Sequence, residues 1–395
     1  MADTYILKME KSKILIIGNP NSAWIKSFIG NVFDNTGFKV YLLCYEPVRE
    51  YYIEYYEKHC VLFLGNPRKS SNKIFRLYYL LYAKLKIKMD IIHIHYLSNG
   101  ALRFALFAKA KKSKIIGTYW GSDIFRISKK RAKIIKKKLE KTDAITMLSE
   151  KITDRFLELY GNEFMDKCIL NMPFGNEVFL HIDDIEKKFS HKDCKKEFNA
   201  DSDKILISIG YNGSEAQQHD MVLEQLAHLS DKIKDKINII LHMGYGVSSK
   251  LYIQKVKNLS NTLGIKTILL NTFLDFDEIA RLRIASDIYI NAQVTDDYSG
   301  SIMEYLYAGC MLISGEWLKY CQFDNCGVFY IKFRDFSELS KLVTEVIESG
   351  KEKIVGNRDV IKSIFSWDCI KYKWQSLYNI VLKNSVDKII NNIQF

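Results

Sequence analysis

The feature that most constrains this chain is an alternation of strand-like and helix-like segments that runs twice. Between residues 13 and 149, near-continuous apolar stretches (KILIIGNPNS at 13–22, FKVYLLCY at 38–45, MDIIHIHYL at 89–97, KIIGTYW at 114–120, DAITMLS at 143–149) are separated by helical stretches such as GALRFALFAKAKK. The scheme restarts with KILISIGY (204–211), INIILHM (237–243), KTILLN (266–271), DIYINA (287–292) and MLISG (311–315), with helices predicted at 216–229, 250–263 and 277–285. Strands apolar along their whole length, each followed by a helix, belong in parallel sheets covered on both faces. The chain therefore predicts an α/β protein of two Rossmann-like, doubly wound domains, a number that 395 residues accommodate. Residues 181–203, HIDDIEKKFSHKDCKKEFNADSD, are almost entirely polar and read as a junction. The expected division is 1–180, junction 181–203, 204–360, and terminal helices over 361–395. Neither half opens with G-x-G-x-x-G, which argues against a dinucleotide site.

Composition narrows the class. No apolar run is long enough to span a bilayer, and the first dozen residues lack the layout of a secretory signal, so a cytosolic protein is expected. Eight scattered cysteines with no C-x-x-C pair give no zinc site and read as reduced thiols. The net charge of +12 is unevenly spread: seven Lys/Arg and no acid lie between Pro67 and Met89, and nine against one glutamate between Arg126 and Lys141. Such stretches, at 68–88 and 126–141, attract polyanions, an anionic membrane at about 1 kcal/mol per basic residue. Lysines that only solvate helix faces are the plain alternative.

Open parallel sheets bind ligands beyond the carboxyl ends of their strands. One such place is QVTDDYSGSIMEYLYAGCMLISG, where Asp296, Ser299, Gly300, Ser301 and Glu304 gather at a helix start. Carboxylates suit sugar hydroxyls and open amides suit phosphates; Ser301 and Glu304 equally fit a capping box. In the 212–219 loop, Asn212, Gly213 and Ser214 precede a predicted helix, with Ser214 and Gln217 at capping-box spacing. A helix end offers only about half a charge to a diphosphate, so His219 or Lys250 is expected to assist. Asn19, Asn21 and Ser22 follow the first strand and face the acceptor or phosphate, or form an ordinary turn. His93 and His95 share a strand face without a third metal ligand; His95 is assigned to the site and His93 to the core. Asp123 is either a general base, a group that orients hydroxyls, or a helix cap. Asp275 and Asp277 form D-x-D, but Glu278 completes a capping box with Asp275, so no metal role is assigned.

The 293–315 stretch resembles the carboxylate motif of the large retaining nucleotide-sugar glycosyltransferase family of GT-B architecture, in which an acid, seven residues and a glutamate precede a small-residue turn. Asp296 stands for the first acid, Glu304 for the glutamate, and YAGCMLIS for the turn. DIIHIHYL, ILNMPFGNEVF (169–179) and FSWDCIKYKWQSLY (365–378) resemble further family segments in the same order. The segment SIGYNGSEAQQHDMVLEQL lacks that family's diphosphate-binding Arg and Lys. It is more similar to the enterobacterial common antigen fucosamine transferases, as are HMGYGVSSKLYIQKV and YWGSDIF. The resemblance implies two domains facing across a cleft and a C-terminal helix returning to the first. It implies a metal-independent hexosyltransferase without a cofactor, in bacterial surface polysaccharide synthesis, moving sugar from a UDP- or TDP-sugar to a glycan or lipid-linked acceptor. Glu304 would hold the ribose, Asp296 would approach the donor sugar, and Tyr245 and Gly246 would join the donor loops. His95 and Asp123 complete the catalytic candidates. The basic stretches would rest on the inner membrane leaflet, with nucleic acid not expected as a partner. A nucleotide-sugar epimerase and a noncatalytic binding subunit are the alternatives.

Overall fold

The computed structural model describes residues 12–169, 172–350 and 356–383. The chain forms two compact units, Met1–Gly175 with Trp367–Phe395, and Asn176–Ser366. The first contains a seven-stranded sheet: β1 (Lys13–Ile17), β2 (Lys39–Leu43), β3 (Leu62–Leu64), β4 (Ile91–His95), β5 (Lys114–Thr118), β6 (Ala144–Thr146) and β7 (Cys168–Ile169). Its order is β3-β2-β1-β4-β5-β6-β7 and every pairing is parallel. The second unit has β8 (Ile205–Ile209), β9 (Ile237–His242), β10 (Thr267–Leu270), β11 (Ile288–Asn291), β12 (Met311–Gly315) and β13 (Ile331–Phe333), in the order β10-β9-β8-β11-β12-β13, again all parallel. Both sheets are doubly wound, as the apolar strands predict. The strand order reverses between β1 and β4 in one and between β8 and β11 in the other, and these reversals are where such sheets bind ligands.

Each sheet has apolar clusters on both faces, because every central strand buries side chains on both sides. In the first unit one face is closed by the end of the chain. Trp367, Ile370, Trp374, Leu377, Tyr378 and Val381 of the helix Trp367–Leu382 are buried there with Phe28 and Phe174. Trp367 Nε1 donates to Ser27 Oγ at 2.7 Å and Trp374 Nε1 to the carbonyl of Pro173 at 3.0 Å. The returning C-terminal helix is thus as predicted; residues 384–395 of that segment lie outside the described residues.

The predicted junction needs correction. Residues 181–203 are not a linker: they hold most of the helix Val178–Glu186 and all of His191–Glu197, both in the second unit. Val178, Phe179, Ile182 and Ile185 recur at helical spacing and are buried in its core, and Lys195, 3% exposed, pairs with Asp287 at 2.7 Å. The polar composition belongs to the outer faces. The chain instead crosses at 175/176 and at 366/367, so the helix Gly356–Phe365 belongs to the second unit rather than to the terminal return.

Candidate active site

The predicted residues divide between the units. In the second, three loops leave the carboxyl ends of β8, β9 and β11 and are tied together. At the reversal point, Gln217 Nε2 donates to Gln293 Oε1 at 3.0 Å, Gln218 Nε2 to the carbonyl of Ala292 at 2.5 Å, and the amide of Val294 to the carbonyl of Ala216 at 2.8 Å. The β8 and β9 loops are joined through Gly213 N donating to Tyr245 O at 2.7 Å, and Ser248 bridging Glu215 N and Ser214 Oγ at 3.1 Å each. A Cβ at Gly213 would press on Val247 at 2.9 Å and on the Met243 carbonyl at 3.1 Å; Gly246 has φ +64° and sits against Asn212. The structure therefore brings Asn212, Gly213, Ser214, Tyr245 and Gly246 together.

Two expectations for this loop fail. Ser214 and Gln217 form no capping box: Ser214 Oγ accepts from Ala216 N, and Gln217 is spent on Tyr211 and Gln293. The helix begins only at His219, after a short turn over Glu215–Gln217, so Gly213 and Ser214 do not occupy its positive end. His219 is not a cation either. It is fully buried with its amide donating to Tyr252 Oη at 2.9 Å, and burial pushes its pKa down to about 4. Lys250, the other candidate, is exposed on the first turn of the helix Lys250–Thr262.

The acidic corner is built around an arginine that the sequence reading passed over. The helix Gly300–Tyr307 starts at Ser299, so Ser301 is not its cap and the Ser301–Glu304 capping box is absent. Glu304 is buried and turns to Arg283: its Oε2 accepts from Arg283 Nε at 3.1 Å and Nη2 at 3.0 Å, and Oε1 accepts from Asn176 Nδ2 at 3.1 Å. Arg283 Nη2 also donates to Ser301 Oγ at 2.7 Å, and the guanidinium lies 4.1 Å from the Tyr305 ring centre. Among the described residues Arg283 Nη1 has no hydrogen-bond partner. Gly300 gives its carbonyl to Asn176 Nδ2. Asp296 is also buried; its Oδ2 accepts from Tyr320 Oη at 2.6 Å and from Ser299 Oγ at 3.1 Å. Burial raises its pKa against the pull of these donors. The signal for Arg283 was present: it falls three and four residues after Ala280 and Ile279, on a core-facing helix side where a charge requires a partner. His242, buried at the end of β9 with neither ring nitrogen bonded among the described residues, was also missed.

In the first unit, His95 ends β4 at the strand-order reversal, its Cβ 3.3 Å from where a Cβ on Gly18 would stand. Neither ring nitrogen has a partner among the described residues, and burial pushes its pKa down to about 3, so the ring is neutral. His93 is a core residue, held between Tyr378 Oη at 2.6 Å and Thr118 Oγ1 at 2.7 Å. Asp123 is neither helix cap nor untethered: Oδ1 accepts from the amides of Trp120 at 2.9 Å and Gly121 at 3.0 Å, and Oδ2 from Leu97 N at 2.8 Å. It fastens the β4 loop to the β5 loop, and burial raises its pKa to about 6. Asn21 bridges Pro47 O and Arg49 N at 2.8 Å each, Asn19 Oδ1 accepts from Asn21 N, and Ser22 starts the helix Ala23–Phe33. Outside the site, Asp275 and Glu278 form the expected capping box, and Asp277 pairs with His181 at 2.6 Å.

These two doubly wound sheets, with a terminal helix completing the first, define the GT-B type of α/β fold, and comparison with known proteins agrees. Residues 13–149 match the family described as glycosyl transferase 4-like. Among solved structures, a glycosyltransferase from Rickettsia africae is 17% identical, with TM-score 0.74 over 95% of this chain and 99% of that one. HepE from Anabaena, solved with UDP and glucose, is 12% identical, with TM-score 0.68 over 93% and 99%. Sucrose-phosphate synthase from Thermosynechococcus elongatus is 13% identical, with TM-score 0.68 over 94% and 100%. No curated protein matches the chain by sequence.

Proposed function

We propose that the chain is a glycosyltransferase that takes a UDP- or TDP-sugar and passes the sugar, without a bound metal, to a glycan or lipid-linked acceptor in bacterial surface polysaccharide synthesis. The observation that carries this reading is the convergence of the β8, β9 and β11 loops at the strand-order reversal, beside the buried Asp296 and the Glu304–Arg283 pair. The family match over residues 13–149 supports it, as do the HepE structures, which carry UDP and UDP-glucose. The motif likeness to fucosamine transferases favours an amino-sugar donor.

In this reading the nucleotide lies over the paired 212–215 and 245–248 loops, whose backbone is drawn close by Gly213 and Gly246. Since His219 is neutral, Lys250 supplies the positive charge for the diphosphate. Glu304 and Ser299 face the ribose, and Asp296, held by Tyr320, faces the transferred sugar. On the acceptor side the neutral His95 offers a hydrogen bond, Asn19, Asn21 and Ser22 line the loop after β1, and Asp123 positions the loops instead of taking the acceptor proton.

Calorimetry with UDP, TDP and their sugars tests the reading. Micromolar binding by wild type is expected, weakened about tenfold by Lys250→Gln, an exposed residue whose loss leaves the thermal melt unchanged. Absence of binding by every nucleotide sugar overturns the proposal; turnover of a nucleotide sugar alone, without acceptor, assigns the epimerase alternative.

A further inference from the structure

The helix Lys73–Tyr82, continued by a π-helical turn over Ala83–Ile87, is apolar on two opposite sides. Leu80 and Ala83 are fully buried against the first unit's sheet, in the cluster with Leu15, Ile92 and Leu102. On the other side Ile74, Phe75, Tyr78, Leu81, Tyr82 and Leu85 are between 42% and 76% exposed. At 100° per residue the five on the helix Lys73–Tyr82 fall within an arc of roughly 120°, nearly opposite Leu80, and Leu85 follows on the π-helical turn. Single exposed apolar residues are ordinary, but a continuous stripe on one helix marks a surface that meets something.

The surroundings say what. Lys73, Lys86 and Lys88 are exposed along the same segment, and Lys84 is half-buried. The helices Asn99–Ala108 and Lys129–Leu139 continue the layer beside it. They show only Phe107 and Ile134 as exposed large apolar residues, among exposed Arg103, Lys129, Lys130, Arg131, Lys133 and Lys137. Residues 67–141 hold 21 Lys/Arg against three acids, more positive than the whole chain's +12. Two of those acids are turned inward, Asp90 to Lys13 N and Asp123 to its loops. A second copy of the chain would set two such positive faces against each other. Nucleic acid would use the charge and the tyrosines but leave Ile74, Leu81 and Leu85 in water.

We propose that this face docks on an anionic phospholipid surface, the helix 73–87 lying in the interface plane with its apolar stripe among the acyl chain ends, and the helix 129–139 adding long-range attraction. The two basic stretches thus have different roles: one inserts, the other steers. Among the described residues no helix is long and apolar enough to cross a membrane, so contact of this kind is peripheral. The inference stands apart from the sugar chemistry, since vesicle binding requires no donor.

Cosedimentation of the full chain with phosphatidylcholine vesicles, with and without phosphatidylglycerol, tests it. Binding about tenfold or more tighter to the anionic vesicles is expected. The triple variant Phe75→Ser, Leu81→Ser, Leu85→Ser should lose that binding by about tenfold or more, with its thermal melt and nucleotide affinity unchanged. Lys129→Gln with Lys130→Gln and Lys133→Gln should weaken binding to the anionic vesicles most at low salt, the difference from wild type closing as salt rises. The proposal is overturned if neither vesicle pellets the protein, if both do equally, or if the serine variant binds as wild type does. It is also overturned if gel filtration shows a wild-type dimer that the serine variant dissolves, or if that variant loses oligonucleotide binding tighter than the vesicle binding.

Discussion

At the residue scale, the corner that resembles a donor-binding motif is also an internal ion pair. Glu304 is the counter-charge of Arg283, whose side chain is 3% exposed. Glu304→Gln, chosen from sequence alone, looks like a clean probe of ribose binding, because glutamine would still serve a capping box. In the structure it strands a buried guanidinium, at about 3–5 kcal/mol. We expect it to lower the melting temperature by about 10 °C, and Arg283→Met combined with it to recover much of that loss. Thermal melts of the singles and the double check this; additive losses would show that the two side chains do not depend on each other. Asp123 makes a pH prediction. Its folded pKa, about 6, exceeds the unfolded carboxylate value, so burial costs stability once the group ionises. The cost is absent at pH below the unfolded value of about 4, grows as pH rises to about 6, and is then constant at about 3 kcal/mol. Asp123→Asn, measured by urea unfolding across that window, should flatten the stability profile relative to wild type.

At the scale of elements, legibility followed length and burial. Long apolar strands announced themselves, as did the helices Lys250–Thr262 and Phe276–Ala285. The edge strands β3, β7 and β13 did not, having three, two and three residues; in β3 and β13 only one residue is buried, so no periodicity can establish itself. The residues 212–219 suggested a cap because serine and glutamine stood at the right spacing. Gln293, some 76 residues on, competes for that glutamine, and a local pattern cannot register it. The helices at 178–197 were legible in principle: Ser190 and Asp193 form a capping box, and the apolar positions start just before the polar stretch. Lys195 offers the test. It is buried, donates to Lys204 O at 2.6 Å and neutralises Asp287, which in turn accepts from Leu206 N at the start of β8. Lys195→Met should destabilise the second unit by about 3 kcal/mol, read as an earlier thermal transition; a surface linker would tolerate it without change.

At the scale of the whole molecule, the order of units along the chain is not the order of folding information. The first unit's core is incomplete without the last helix, because Trp374, fully buried, lies against Phe28 at 5.0 Å and the His93 ring at 5.6 Å. Tyr378 on the same helix gives His93 one of its two hydrogen bonds. Trp374→Ala opens a cavity between them and removes the bond to Pro173 O, so a loss of about 3–5 kcal/mol is expected. That loss should fall on one unit. Limited proteolysis of the variant should cut within residues 12–175 while the fragment 176–366 persists, and the second unit's nucleotide affinity should survive where the first unit melts. If both units are cleaved together, the second also depends on the returning helix, and the division into separately stable units fails.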